Sequence, residues 1–236
     1  RYRQTALGVL WVVLQPLLGA GIFAFVFGRI ARFDSGSVPY VLFAYAGLLG
    51  WNLFSGIVLK STTSLVSNAA LISKVAFPRL LLPLSGVASC LLDFAVGVLG
   101  GALLAVLHGF VPGPWLVLSP LWLLLLVVFA TGLGLIFGSL AVAYRDVVHA
   151  LPVLLQLFLY ASPVGYGLGM VPEGWTRSLY LLNPLATLIE GFRSALLGSG
   201  PPGGDWIGYA VVMSALTLGV GLLVFRARER DFADVI

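Results

Sequence analysis

Charged side chains are scarce in this chain of 236 residues: they make up 9% of it, whereas soluble domains carry about 25%. Hydrophobic residues make up 60%. So few charges cannot cover the surface of a water-soluble domain, and the composition therefore predicts an integral membrane protein. The apolar stretches are long and nearly free of charge, which favours transmembrane helices over the alternating strands of a barrel.

Residues that carry catalytic chemistry are equally sparse. The single cysteine, Cys90, lies in an apolar stretch, so an intrachain disulfide is excluded, and the two histidines, His108 and His149, stand at or near loop ends. The sequence contains no H-E-x-x-H, G-x-S-x-G or Cys/His cluster, and no G-x-x-x-x-G-K-[ST] loop that could cradle ATP. We therefore expect no enzyme activity, no metal site and no cofactor bound by this chain.

Six apolar stretches are long enough to cross a bilayer, which requires roughly 20 helical residues. The first stretch continues to Phe27, so it is predicted to be a retained span rather than a signal peptide. The predicted fold class is an all-α integral membrane protein with a single transmembrane domain. The six spans cover about residues 5–28, 41–59, 80–107, 115–143, 147–164 and 206–225.

Residues 60–79, the polar segment, interrupt this pattern with a run of Ser, Thr and Asn between spans 2 and 3. Its apolar residues Leu65, Ala69, Ile72 and Ala76 recur at helical spacing, which predicts a surface helix over about 62–76, ending before Pro78. A second irregular stretch, about 165–200, is too polar and too broken at Asn183-Pro184 to span the membrane. It predicts two half-helices that enter and leave on one side, between spans 5 and 6.

The net charge of +4 is a topology signal, because the basic residues stand between spans, and no nucleic-acid partner is expected. The side that holds the chain termini and the polar segment has nine basic residues: Arg1, Arg3, Lys60, Lys74, Arg79, Arg145, Arg226, Arg228 and Arg230. The opposite side has four: Arg29, Arg32, Arg177 and Arg193. The positive-inside rule places both termini and the polar segment in the cytoplasm, and the half-helices outside.

Asp93 is a carboxylate near the middle of span 3, where burial in lipid costs roughly 2.5–3.5 kcal/mol on insertion scales. It either belongs to a proton, cation or polar translocation path, or it packs through a hydrogen bond, for instance to Ser89. The aromatic residues leave the same choice open, since they either line a path that stacks on sugars or form interfacial belts and core. They are Trp51, Phe54, Phe158, Tyr160 and Tyr166.

Two charged pairs are also candidates. Arg145 and Asp146 form a cytoplasmic turn, which either caps a helix or contacts a partner. Glu190 and Arg193 are three residues apart, so they can pair on one helical face and lock the half-helices in place.

Several strings in order along the chain resemble one family, the membrane subunits of type-2 ABC exporters that move lipid-linked polysaccharides such as O-antigen, capsule, teichoic acid or mycobacterial galactan. The strings are RYRQTALGVLWVVLQP at 1–16, LISKVAFPRLLLP at 71–83, AVAYRDV at 141–147, LLQLFLYASPVGY at 154–166, YLLNPLATLIEGFR at 180–193 and RDFADVI at the end. The resemblance covers essentially the whole chain.

The resemblance implies a multi-pass homodimer in the bacterial inner membrane, bound to two copies of a separate ABC subunit that holds ATP and Mg²⁺. The surface helix becomes a coupling helix seated on that subunit, through Ser64, Leu65, Asn68, Ala69, Leu71, Ile72 and Lys74. The conduit then lies between the two copies, with spans 1, 2 and 5 nearest. Arg1 and Arg3 either attract the anionic head group of the lipid-linked glycan or only set topology. Alternatives are a type-2 ABC exporter of drugs or lipids, an ion-coupled transporter that uses Asp93, and a scaffolding subunit.

Overall fold

The structure is a computed structural model that describes residues 10–30, 38–74, 77–172, 174–200, 204–229 and 232. Within these ranges the chain folds into helices joined by short turns, and no strand occurs. The α-helices are α1 Leu10–Phe23, α2 Tyr40–Ser67, α3 Ala69–Lys74, α4 Leu81–Leu107, α5 Ser119–Ala143, α6 Asp146–Tyr160, α7 Trp175–Leu181, α8 Pro184–Leu197 and α9 Gly204–Arg228. A π-helical turn, Ala24–Ile30, extends α1, and 3₁₀ turns lie at Pro114–Leu118 and Leu168–Met170.

Five helical segments among the described residues are long and apolar enough to cross a membrane: Trp11–Ile30, Tyr40–Ser67, Leu81–Leu107, Pro114–Ala143 and Asp205–Arg228. The predicted span over 147–164 corresponds to α6, which has 15 residues and contains Pro152. At 1.5 Å per residue it extends only about 22 Å, short of the roughly 30 Å of hydrocarbon. The described part of the chain is thus a multi-pass helical protein with one shorter apolar helix.

Helices α2 and α5 form the centre of the fold. They pack against each other, and they are the two long helices whose surfaces are mostly buried within the chain. Helix α4 packs on α2 and α9 packs on α5, while α1 lies along α2. The outer faces of α1, α4, α6 and α9 expose large apolar side chains, such as Leu92, Leu157 and Leu223. Such faces suit lipid or another apolar protein surface rather than water.

Glycine allows α5 and α9 to cross at close range. A Cβ atom on Gly221 of α9 would lie 2.5 Å from the carbonyl oxygen of Gly132 in α5. Near the same crossing, the Ser214 hydroxyl donates a hydrogen bond of 3.1 Å to the carbonyl of Leu125. Small residues and hydroxyl groups of this kind are what membrane helices use to bring their backbones together.

Helix α2 continues through much of the polar segment, where the sequence predicts the end of a span near residue 59 and a separate surface helix. The hydroxyl groups of Thr63 and Ser64 bond back to carbonyls of the same helix, those of Leu59 at 2.9 Å and Ser61 at 2.7 Å. Hydroxyls satisfied in this way do not need water, so the helix extends without a break. It ends at Ser67, and after Asn68 the short α3 begins.

The polar end of α2 packs against two glycines of α5. Gly134 and Gly138 are four residues apart on one helical face; a Cβ on Gly134 would lie 2.6 Å from Ser61 Cβ, and one on Gly138 would lie 3.3 Å from the Ser61 carbonyl oxygen. Ser61 and Thr62 are fully buried there. The first part of the polar segment is therefore an internal helix contact, formed through small residues on both sides.

A small apolar cluster lies beside this contact. Leu65 of α2 packs there with Leu135 of α5, and with Phe225 and Phe232, whose rings are 5.4 Å apart. Next to it, Arg79 donates a hydrogen bond to the carbonyl oxygen of Glu229. The end of α9 is thereby fixed to the base of α2 and to the turn before α4.

The chain breaks at Asn183-Pro184, as the sequence indicates, and α7 and α8 lie on either side. The side-chain oxygen of Asn183, Oδ1, accepts a hydrogen bond of 3.1 Å from the Leu185 backbone amide and so caps α8. Pro184 takes the first helical position. Gly198 ends α8 with a left-handed φ of 71°. Helix α8 is almost wholly buried, against α2, α5 and the Pro114–Leu118 turn.

Candidate functional site

A cavity of about 620 Å³ opens between α1, α2, α4 and α6. Its volume lies within the roughly 300–1,000 Å³ typical of ligand sites. Amide, hydroxyl and charged side chains reach it from all four helices, together with two tryptophans and a phenylalanine. These residues are Trp11, Gln15, Trp51, Asn52, Ser55, Lys60, Asp93, Phe94 and Gln156. A polar and aromatic lining inside an otherwise apolar bundle marks this cavity as the candidate functional site.

Lys60 and Asp93 form an ion pair on the wall of the cavity. The distance from Lys60 Nζ to Asp93 Oδ2 is 3.1 Å, and the same ammonium donates to the Ser89 hydroxyl at 3.1 Å. Both charged side chains are partly exposed, by 24% for Lys60 and 30% for Asp93. The pair is thus open to a ligand in the cavity, and the opposite charges neutralise each other where an isolated charge would be costly.

Close packing of α2 on α4 positions this pair. A Cβ on Gly86 of α4 would lie 3.1 Å from Lys60 Cβ, and a Cβ on Gly56 of α2 would lie 3.2 Å from the Cys90 sulfur. The two glycines bring the helices together at contacts one helical turn apart. The Lys60 side chain therefore runs along α4 towards Asp93 instead of extending to the membrane surface.

The structure places two of the described path residues in the cavity wall and the other described ones elsewhere. Trp51 and Asp93 line the cavity. Phe54 faces the core, where its ring stacks on Phe129 at a centroid distance of 6.0 Å. On α6, Phe158 and Tyr160 are exposed on the outer surface. Arg1 and Arg3 lie outside the described residues.

The predicted coupling residues divide between the surface and the interior. Leu71 in α3 is 42% exposed, whereas Leu65 is fully buried in the cluster with Phe225 and Phe232. Leu65 therefore supports the segment from inside the chain, because a side chain packed in the core offers no surface to a partner. The remaining members occupy the end of α2, the Asn68 turn and α3: Ser64, Asn68, Ala69, Ile72 and Lys74.

Arg145 and Asp146 lie at an exposed turn between α5 and α6. Asp146 is the first residue of α6, where a carboxylate complements the positive end of the helix dipole. Both side chains are exposed at the start of α6.

Arg193 organises a buried group of polar residues, the Arg193 cluster, where α8 meets the turn after α6. Its Nη1 donates to the carbonyls of Pro163 at 2.8 Å and Val164 at 3.3 Å, and Nη2 donates to Tyr166 and to the Glu190 carboxylate. The guanidinium also lies 3.8 Å from the centroid of the Phe43 ring in α2. Burial lowers the pKa of Arg193, and the Glu190 carboxylate opposes that change.

Tyr166 and Tyr180 complete the Arg193 cluster with a hydrogen bond between their hydroxyl groups. Burial, and the hydrogen bond shared with Tyr166, raise the pKa of Tyr180 above its usual value. Glu190 and Arg193 form the expected pair, and the rings of Phe43, Tyr166 and Tyr180 surround it as an aromatic shell. Tyr166 lies in this shell and is absent from the lining of the cavity.

The sequence alone does not indicate that Lys60, Trp11 and Gln156 line the same cavity as Asp93. Lys60 belongs to the predicted polar segment, because the polar residues after it indicate the end of a span. One signal is present: Lys60 directly follows predicted span 2 and carries the opposite charge to Asp93 in span 3, and a charge within the membrane usually has a partner. Gln15 and Gln156 are amides within apolar stretches, and they likewise indicate polar surroundings inside the helix bundle.

Together, the apolar helices, the polar cavity and the exposed apolar outer faces define a multi-pass helical membrane protein with a polar cavity between its helices. The family of ABC-2 type transporters, by its sequence model, matches residues 1–197, and the chain belongs to this family.

Relatives match along nearly the whole chain. An O-antigen export system permease protein RfbA of Klebsiella pneumoniae is 30% identical over 238 residues, covering 100% of this chain and 90% of the relative. The RfbA protein of Myxococcus xanthus is 30% identical over 237 residues, with the same coverage. The polysialic acid transport protein KpsM of Escherichia coli is 26% identical over 237 residues, covering 97% of this chain and 89% of the relative.

Proposed function

We propose that this chain is the permease subunit of an ATP-driven exporter that moves a lipid-linked polysaccharide from the cytoplasmic side across the bacterial inner membrane. The cavity between α1, α2, α4 and α6 carries this proposal, because amides, hydroxyls and indoles are the groups that hydrogen-bond and stack on sugars. Membership of the ABC-2 family and the names of the relatives, O-antigen export and polysialic acid transport, support the substrate class.

The proposed topology has six spans with both termini in the cytoplasm. Helix α6 and the turn that follows it, to about residue 164, form the fifth span. Helices α7 and α8 form an external re-entrant pair. The Arg193 cluster supports this arrangement, since its side chains bond the carbonyls of Pro163, Val164 and Tyr166 that hydrocarbon would leave unsatisfied.

Energy comes, in this proposal, from a separate ABC subunit that binds ATP and Mg²⁺ on the cytoplasmic face. The end of α2, the Asn68 turn and α3 form the coupling helix, with exposed Leu71 as its central apolar contact. The Arg145-Asp146 turn, on the same side of the membrane, provides a second contact. One ABC subunit binds each copy of the chain.

Two copies of the chain form the exporter. The exposed apolar faces of α1 and α6 flank the cavity, and a second copy placed there would enclose the conduit between the protomers. When ATP closes the two ABC subunits, each coupling helix is pushed. Helix α2 is continuous from the coupling helix to the cavity wall at Lys60 and Trp51, so the push moves that wall directly and opens the conduit.

An ion-coupled transporter that uses Asp93 is a weaker candidate. The Asp93 carboxylate is already engaged by the Lys60 ammonium, so a transported cation would have to displace it. Transport that depends on an ion gradient, proceeds without any ABC subunit and is lost in Asp93→Asn would favour this rival.

The decisive experiment is reconstitution. The chain is co-purified with a co-expressed ABC subunit, placed in proteoliposomes and supplied with lipid-linked glycan and ATP. We expect glycan-dependent stimulation of ATP turnover and ATP-dependent appearance of glycan in the lumen. A stable complex whose turnover responds to drugs or simple lipids but not to glycan would assign it to the other ABC-2 exporters.

A further inference from the structure

We propose that the chain has a second binding site, an apolar slot that holds the end of one straight acyl chain of a membrane phospholipid. The slot is a cavity of about 190 Å³ between α2, α4, the Pro114–Leu118 turn and the end of α8. It is separate from the polar cavity between α1, α2, α4 and α6. The residues that line the apolar slot lie within 42–49, 98–105, 110–116 and 196–197.

The apolar slot offers almost no polar surface. Among the described residues that line it none is charged, and Tyr45 has the one polar side-chain group. That hydroxyl is already used, since it donates a hydrogen bond of 2.8 Å to the Gly97 carbonyl. A water molecule needs two or more polar partners in a cavity, whereas an apolar cavity of about 150 Å³ stays dry and binds hydrocarbons. The slot therefore suits a hydrocarbon chain and disfavours a sugar.

The dimensions of the slot fit a single chain. Its lining extends from residue 42 to 49 on α2 and from 98 to 105 on α4, which at 1.5 Å per residue is about 10 Å on each helix. The volume spread over that length gives a mean cross-section of about 19 Å², which is wide enough for one extended chain and too narrow for two. A polyprenyl chain is wider than a straight acyl chain because it carries methyl branches. The slot is therefore assigned to the acyl chain.

The slot opens on a surface that faces lipid. Ala102 of α4 and Leu116 of the 3₁₀ turn are exposed members of its lining. Next to Ala102, α4 exposes the large apolar side chain of Leu103, so the opening is continuous with an outer face that suits hydrocarbon. Trp115, one residue before Leu116, is also exposed, and tryptophan is typical of the level at which lipid head groups lie. A phospholipid at that level can direct a chain inward through the opening.

Leu49 connects the slot to the polar cavity, because it lines both. It packs tightly on α4, where a Cβ on Gly97 would lie 2.5 Å from Leu49 Cδ1. Empty space on the other side of this leucine would leave it without van der Waals contacts there and would cost stability. An acyl chain in the slot supplies those contacts. The bound lipid thus supports the wall that separates the polar cavity from hydrocarbon.

The test uses the full chain in lipid nanodiscs that contain a phosphatidylethanolamine with a diazirine at the end of one acyl chain. After illumination, mass spectrometry locates the adducts. We expect adducts on Leu42 and Ala46, which line the slot but are buried and out of reach of lipid on the outer surface. Leu126 and Ala130 of α5 are equally buried and line neither cavity, so they should stay unlabelled. Adducts confined to exposed residues such as Leu103, or equal labelling of the α5 residues, would overturn the proposal.

A second probe identifies the kind of hydrocarbon. Polyprenyl phosphate with a diazirine at the far end of its chain is supplied at the same concentration. We expect it to label Leu42 and Ala46 about tenfold less than the phospholipid does, because a branched chain overpacks the slot. Equal labelling by the two probes would contradict the assignment to an acyl chain. Stimulation of ATP turnover by lipid-linked glycan is a separate measurement, so polysaccharide export and the lipid site stand or fall independently.

A variant at the opening tests the route of entry. Ala102→Trp blocks the opening and should lower the labelling of Ala46 about tenfold, which is within what filling a cavity of this volume contributes. Ala95→Trp is the matched control, since Ala95 is exposed about two turns earlier on α4 and lines neither cavity. Undiminished labelling in Ala102→Trp, or an equal loss in both variants, contradicts the site. The measurement on the wild type decides the proposal even where a variant fails to fold.

Discussion

Arg193 donates a 2.8 Å hydrogen bond from Nη1 to the carbonyl oxygen of Pro163, thirty residues earlier in the chain. This contact joins α8 to the turn after α6 through a guanidinium that is 1% exposed. The same group bonds two further carbonyls and the Glu190 carboxylate. One side chain thus satisfies the backbone of a turn that has no helix of its own.

Replacement of Arg193 by alanine should strongly destabilise the protein. The change leaves three carbonyls and the Glu190 carboxylate without their donor, and breaking a buried ion pair of this kind costs about 3–5 kcal/mol. Thermal unfolding in detergent, followed by size-exclusion chromatography, measures the loss. Arg226→Ala is the control, since Arg226 is exposed at the end of α9, and we expect it to unfold like the wild type. Equal unfolding temperatures for both variants would show that the Arg193 cluster adds little to stability.

Asn183→Ala should remove the cap of α8 at a cost of about 1 kcal/mol. Asn183→Asp keeps an oxygen that accepts from the Leu185 amide, but it loses the amide donation to the Ser162 hydroxyl, which spans 3.3 Å. We expect the aspartate variant to unfold between the wild type and the alanine variant in the same assay. If the two variants are equally unstable, the cap is not what Asn183 contributes.

Gly221→Ala should separate α5 from α9, because the new methyl group would meet the backbone of Gly132 at 2.5 Å. Overpacking of this kind costs about 1–3 kcal/mol. Gly219→Ala, two residues earlier on the same helix, places its methyl group in open space. This matched control should retain the wild-type unfolding temperature or rise slightly, since alanine favours a helix over glycine. Similar losses in the two variants would contradict the close crossing.

Leu71→Glu should uncouple the chain from the ABC subunit without unfolding it. Leu71 is exposed in α3, and a carboxylate would oppose an apolar contact with the partner while leaving the core intact. We expect the amount of co-purified ABC subunit to fall at least tenfold, about 1.4 kcal/mol, with loss of ATP-driven export. Ala227→Glu is the control, since it adds the same charge to an exposed position at the end of α9. Normal assembly and export by Leu71→Glu would remove α3 from the interface.

The extent of helix and its division into apolar segments could be read from the sequence, because membrane helices need long runs without charge. The break at Asn183-Pro184 was equally legible, since proline lacks an amide donor and asparagine caps the next helix. These features depend on neighbours within a few residues. Because these interactions are local, a single sequence is enough to predict them.

The continuation of α2 to Ser67 could not be predicted from the sequence in the same way. Ser61, Thr62, Thr63 and Ser64 resemble the solvated end of a span, yet two of them are buried against α5. What decides this is the pair Gly134 and Gly138, more than 70 residues away, which leaves room for the serine and threonine side chains. The site combines local and distant information in the same way. Asp93 stands out in the sequence as a charge within an apolar stretch. Its partner Lys60 and the lining residue Gln156 come from other helices, so their positions depend on how the helices pack.

The hydroxyl groups of Thr63, Ser64 and Ser67 bond to carbonyls of their own helix, so these groups do not depend on water for their hydrogen bonds. A helix end that relied on solvent would be anchored at one depth, because drawing it into hydrocarbon would strand its polar groups. This end carries its hydrogen bonds with it. The Ser61 hydroxyl donates instead to the Pro83 carbonyl of α4 at 3.3 Å, and Lys60 pairs with Asp93 on the same helix, so a displacement of α2 carries α4 with it.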